Sequence, residues 1–171
     1  VIYNGPDPEY QGRELLFGSN SDGGENNQIV IVDVTDKANP EKISSITSPM
    51  GATHIKVFIG GPADFFLGDE LDELRFGSPT QTRIFDLTRL SNPLQHFTYF
   101  ASINAIDHNG YVKGDEFYLA SYTAGLRVLD ISQVAEKKIS EKGFFDTYPF
   151  DNNPKFNGVW NVYPFFESGV I

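Results

Sequence analysis

Apolar and polar positions along this chain repeat one phrase three times: two apolar residues, an aspartate, an aliphatic residue and a hydroxyl residue. The copies are Ile31-Val32-Asp33-Val34-Thr35, Ile84-Phe85-Asp86-Leu87-Thr88 and Val128-Leu129-Asp130-Ile131-Ser132. β-Branched and aromatic residues favour a pleated ladder, and a short polar side chain after them can bond its own backbone, so each phrase predicts a strand running into a turn. Asp33 and Asp86 are each followed, seven positions on, by the proline of an Asn-Pro pair, Asn39-Pro40 and Asn92-Pro93. The residue before a proline is driven out of the helical region, which closes the turn.

The surroundings of the phrase recur as well. An apolar run precedes each copy, at 14–17, 65–67 and 117–120, and another follows it, at 43–46, 96–100 and 143–145. Two units open on a histidine strand, His54-Ile55-Lys56-Val57-Phe58 and His108-Asn109-Gly110-Tyr111-Val112. No stretch carries a sustained apolar stripe at helical spacing, and 132–142 reads as a loop with one turn of helix. Four short strands per unit at a period of about 40 to 55 residues describe a blade in a radial array. The fold expected is therefore all-β: one partial β-propeller domain of about three four-stranded antiparallel blades. Its blades span 1–50, 51–103 and 104–150, and 151–171 supplies the first strand of a further blade. On this reading the chain is a portion of a longer propeller. Ile2 and Tyr3 at one end, and Val159, Val162 and Tyr163 at the other, would then lie on open edges that favour association.

Composition narrows the partners. The 171 residues carry a net charge of −10, and backbone phosphates or an anionic membrane would be repelled. With 40% hydrophobic and 14% aromatic residues the chain is not disordered, and no apolar run is long enough to insert in a bilayer. There is no cysteine, which excludes disulfide and thiolate chemistry.

Longer motifs carry a resemblance. Residues 3–14 (Tyr-Asn-Gly-Pro-Asp-Pro-Glu-Tyr-Gln-Gly-Arg-Glu), Leu67-Gly68-Asp69-Glu70-Leu71-Asp72-Glu73, Ile106-Asp107-His108-Asn109 and Gly143-Phe144-Phe145-Asp146-Thr147-Tyr148-Pro149 resemble the choice-of-anchor B family, bacterial surface proteins with LVIVD repeats. The resemblance spans essentially the whole chain. It implies a secreted, cell-surface β-propeller held by a C-terminal anchor, with no established enzymatic activity. It also implies that the remaining blades of the same protein are among this segment's partners.

Two constellations could carry chemistry. His54, Asp107 and His108 sit at matching places on opening strands, which line the central channel of a propeller. Imidazole and carboxylate there suit zinc, iron or manganese, or else they bond neighbouring blades and fix their register. Asp69, Glu70, Asp72 and Glu73 place four carboxylates in five residues; these hard oxygen donors suit calcium, or form a solvated acidic turn. A divalent cation such as calcium or zinc is thus the cofactor expected, if there is one. No Gly-x-Ser-x-Gly elbow accompanies His96, and Gly60-Gly61-Pro62 is followed by no helix, so nucleophilic and phosphate chemistry find no support. The function expected is a non-catalytic binding or scaffold module for a protein or surface glycan. Two alternatives stay open: a metal-dependent hydrolase or lactonase around an axial ion, and a structural subunit of a surface assembly.

Overall fold

A computed structural model describes residues 1–20, 28–47, 55–59 and 64–171, with the backbone alone for 20, 55–59, 64 and 69. The chain is all-β, in three antiparallel sheets of three, four and four strands. The first sheet orders β1 (Leu15–Asn20), β2 (Gln28–Asp33) and β3 (Glu41–Thr47). In the second, β4 (Ile55–Ile59), β5 (Asp64–Asp69), β6 (Gln81–Asp86) and β7 (Leu94–Phe100) follow in sequence. The third repeats that pattern with β8 (Gly110–Lys113), β9 (Glu116–Ala120), β10 (Leu126–Asp130) and β11 (Ser140–Phe145). The first sheet thus has three strands where four were expected: at its inner edge only the isolated bridge between Ile2 and Glu14 forms, because the chain bends away through Gly5, Pro6 and Pro8. Among the described residues helix is confined to α1 (Asp72–Phe76) and one 3-10 turn, Val134–Glu136, within the 132–142 loop. No helix among the described residues is long and apolar enough to cross a membrane.

The repeated phrase occupies the same place in each sheet. Asp33, Asp86 and Asp130 end the strand next to the outer edge, and each carboxylate accepts the backbone N–H two residues on, from Thr35 (2.9 Å), Thr88 (2.7 Å) and Ser132 (2.9 Å). A β-bulge against the outer strand falls two residues before the aspartate in all three, between Ile31 and Val32, Ile84 and Phe85, and Val128 and Leu129. Hairpin, bulge and turn therefore travel together as one unit.

The sheets stack face to face. Strand side chains alternate between faces, so Phe65 and Leu67 pack with Leu15, Ile29 and Ile31 of the first sheet. Phe66 and Ile84 point the other way, onto Phe117, Leu119 and Leu129 of the third. Phe66 and Phe117 stand 5.3 Å apart between ring centroids. The middle sheet is thus buried on both faces, which explains the unbroken apolar run Phe65-Phe66-Leu67. At the first edges, β4 lies against both β1 and β8. The third sheet's far face is covered by the C-terminal residues, with Val162 buried against Tyr118 and Ala120.

Neighbouring sheets are also coupled through the turn that follows the phrase. Leu90, four residues after Asp86, is fully buried against the first sheet. Its N–H donates to Asp7 (2.8 Å) and its carbonyl accepts from the Ser44 hydroxyl (2.5 Å). Val134 holds the same place after Asp130; it packs into the core between the second and third sheets, and its carbonyl meets His96 Nε2 on β7 at 3.1 Å. In the first sheet that place belongs to Lys37, an exposed residue paired with Glu14.

The ends depart from expectation. Tyr3 is buried in the first core and its N–H donates to the Arg13 carbonyl, while Val162 is buried and Val159 bridges Tyr122; Ile2 and Tyr163 keep exposed side chains. The strand expected over 156–163 is absent beyond that single bridge. Gly158 turns the chain there with φ +92°, incompatible with a continuing ladder.

The matched turn positions generate a paired expectation. Leu90→Ala should lower the free energy of unfolding by about 3 kcal/mol, measured by denaturant titration. Lys37→Ala, at the equivalent place, should stay within about 0.5 kcal/mol of the parent.

Candidate functional site

Most buried polar side chains gather at one end of the second and third sheets. Glu70, Asp72, Glu73, Thr80, Gln81, Thr82, Arg83, Asp107, His108, Ser121 and Thr123 are all buried there. Three connections and the start of β6 deliver them. The β5–β6 connection carries Glu70 and α1, the 101–109 crossover brings Asp107 and His108 to the head of β8, and the β9–β10 turn supplies Ser121 to Thr123. The crossover is fastened by Thr80, whose N–H donates to the Ile103 carbonyl (3.0 Å) and whose hydroxyl donates to that of Ala105.

The acidic run is not the solvated turn that its composition allows. Asp72 and Glu73 open α1, where carboxylates favour the helix N-terminus, and Arg75 lies in the last turn. Gly77, at φ +65°, stops the helix and donates its N–H to the Glu73 carbonyl (3.0 Å). A helix of five residues leaves no sustained stripe to read. Its first turn is pressed inward, Asp72 1% and Glu73 2% exposed, with Asp107 of the crossover near enough to act on Glu73.

Burial sets the protonation of this pair. The Glu73 carboxyl is pushed up to about 11, first by burial, then by the carboxylates of Asp107 and Asp72. Neither Glu73 oxygen has a hydrogen-bond partner, and burial without one disfavours the charged form. Burial raises Asp72 too, while the polar side chains of Glu73 and Ser78 nearby and the charge of Arg83 act against it. Its Oδ2 also accepts from Gln81 Nε2 at 2.7 Å.

Glu70 turns the other way. Its Oε1 lies 3.4 Å from His108 Nε2, and it accepts a hydrogen bond from the Tyr122 hydroxyl; burial first and then that carboxylate hold the Tyr122 phenol up at about 12. His108 Nδ1 is 2.8 Å from the Trp160 carbonyl oxygen, which can only accept, so Nδ1 carries hydrogen. The ring is sandwiched by Trp160 at 4.8 Å and the edge of Tyr122 at 5.5 Å. Tyr122 holds φ +24°, which is costly for a bulky residue and is maintained by its carbonyl, which accepts from both Gly125 and Val159 at 3.0 Å.

Of the residues singled out from sequence, Glu70, Asp72, Glu73, Asp107 and His108 meet in this region. His54 lies outside the described residues, and so does the side chain of Asp69, which ends β5. The five do not act as one ligand set: Glu70 faces His108 and Tyr122, whereas the buried carboxyls of Asp72 and Glu73 lie near Asp107. Among the described residues no three His, Cys, Asp or Glu side chains stand so as to hold a metal ion. Sequence reasoning missed Tyr122, Arg83 and Gln81. A signal was present in Thr80-Gln81-Thr82-Arg83, four polar residues leading into an apolar strand, all buried. Tyr122 and Tyr111 pack against neighbouring rings, while Phe150, Phe156, Trp160 and Phe166 keep more than half of their surface exposed.

Neither a protein-family model nor a curated protein matches this chain.

The raised Glu73 acid gives a pH dependence of definite sign. Its folded value of about 11 lies above the ordinary 4.5, so the folded state binds the extra proton. Its contribution is fully present below the ordinary value and is lost as pH rises through that window. Glu73→Gln, which mimics the neutral acid, should unfold at a higher temperature than the parent at neutral pH. The gap should widen toward alkaline pH and close in acid, as read from thermal melts across pH.

Proposed function

We propose that this chain is part of a β-propeller serving as a cell-surface binding or scaffold module of the choice-of-anchor B type. Three features support the propeller reading: sheets stacked face to face, first strands lying side by side, and one turn chemistry reused at equivalent places. The surface location rests on the motif resemblance.

One observation favours a scaffold over a metal-dependent hydrolase. Both ring nitrogens of His108 are engaged, one by the β5–β6 connection through Glu70 and one by the C-terminal segment through Trp160. An imidazole joining two neighbours in this way fixes register and has no nitrogen left for an ion or for a substrate's proton. A Glu73 carboxyl held at about 11 is also far from the range in which an acid–base group works at neutral pH.

Chelation tests this. Dialysis against EDTA should move the melting temperature by less than about 1 °C, where 1 kcal/mol would move a chain of this size about 2–4 °C. His108→Ala, which leaves Glu70 buried without its imidazole, should cost about 3 kcal/mol. A melting temperature that falls on chelation and is restored by a divalent cation would overturn the scaffold reading in favour of the hydrolase.

A further inference from the structure

Residues 156–166 form a strap along the far side of β8. Val159 N–H donates to the Tyr122 carbonyl (3.0 Å), His108 Nδ1 to that of Trp160 (2.8 Å) and Lys113 Nζ to that of Pro164 (2.7 Å). Tyr163 and Phe165 each set their rings 5.9 Å from Tyr111. At its head stands Asn157-Gly158, exposed at both residues, with Gly158 at φ +92°. A Cβ on Gly158 would lie 2.3 Å from the Tyr122 carbonyl oxygen, so the backbone there touches the third sheet directly.

We propose that Asn157-Gly158 is a site of spontaneous succinimide formation, and that its conversion releases the strap from the third sheet. The Gly158 nitrogen attacks Asn157 Cγ; the new N–Cγ bond forms as the Cγ–Nδ2 bond breaks, and ammonia leaves with the proton. Water then opens the five-membered ring at either carbonyl, giving aspartate or isoaspartate. Glycine permits this because no side chain hinders its nitrogen, and exposure leaves room for the ring. Isoaspartate lengthens the backbone by one methylene immediately before Gly158. The Val159–Tyr122 bond and the close Gly158 contact cannot both survive that insertion.

The chain holds two other Asn-Gly pairs among its described residues, and the fold protects both. Gly110 is buried in β8 opposite Leu119, with the Phe117 ring 2.5 Å from where its Cβ would be, and the Asn109 carbonyl accepts from Ala120. Gly5 is buried beneath the Tyr3 ring, and its carbonyl accepts from Gln11 Nε2. Conversion is therefore confined to the strap.

Incubation of the full chain in mildly alkaline buffer, followed by peptide mapping for isoaspartate, tests the assignment. Position 157 should lose its amide before 4 and 109. Emission from Trp160, the only tryptophan, should shift to the red in step, and the bonds after 157 should become open to protease. Asn157→Gln should abolish all three changes, since its longer side chain does not form the five-membered ring. Asn157→Asp, which adds the charge without the inserted methylene, should keep the Trp160 emission of fresh protein. Earlier conversion at 109 or 4, or unchanged Trp160 emission as 157 converts, would overturn the proposal.

Discussion

The carboxylate that ends the penultimate strand of each sheet is the contact on which the architecture depends. Asp33, Asp86 and Asp130 each turn the chain by accepting the N–H two residues on. That turn delivers the residue two positions further along to the neighbouring sheet. Leu90 reaches a socket closed by Asp7 and Ser44, and Val134 reaches one closed by His96. A local Asx turn thus becomes a long-range coupling, worth far more than the hydrogen bond itself because it places a buried apolar side chain.

The candidate site follows from the same stacking. Two sheets held face to face bring the β5–β6 and β9–β10 connections together at one end, and the crossover between them must pass over that end. Polar side chains gathered there are shut away from water without having been neutralised in advance. They respond by holding a proton, as the raised Glu73 carboxyl does, or by bridging elements, as His108 does. Dense carboxylates here are evidence of a closed end.

The fold was legible where chemistry is local. The phrase, its turn and its flanking strands depend on neighbours within a few residues, and 132–142 does contain only one helical turn. The fourth strand of the first sheet was not legible, because whether Ile2 pairs for one residue or five depends on how Gly5, Pro6 and Pro8 steer the chain. The C-terminal strand failed on a single backbone angle at Gly158. At the site, composition pointed to Glu70, Asp72, Glu73, Asp107 and His108, and the fold brought them together. Their roles were hidden, since Gln81, Tyr122 and Trp160 come from other elements and nothing in local spacing announces them.

The middle sheet has no face of its own. Because Phe65 and Leu67 belong to one interface and Phe66 and Ile84 to the other, its strands cannot loosen toward one neighbour while staying solid toward the next. In an array with nearest-neighbour coupling, such a unit transmits: disorder that begins in the first sheet removes one wall of β5, and the third sheet then loses its support through the same backbone. Substitutions in β5 should accordingly be felt by residues two sheets apart, and the three repeats should melt as a single cooperative body.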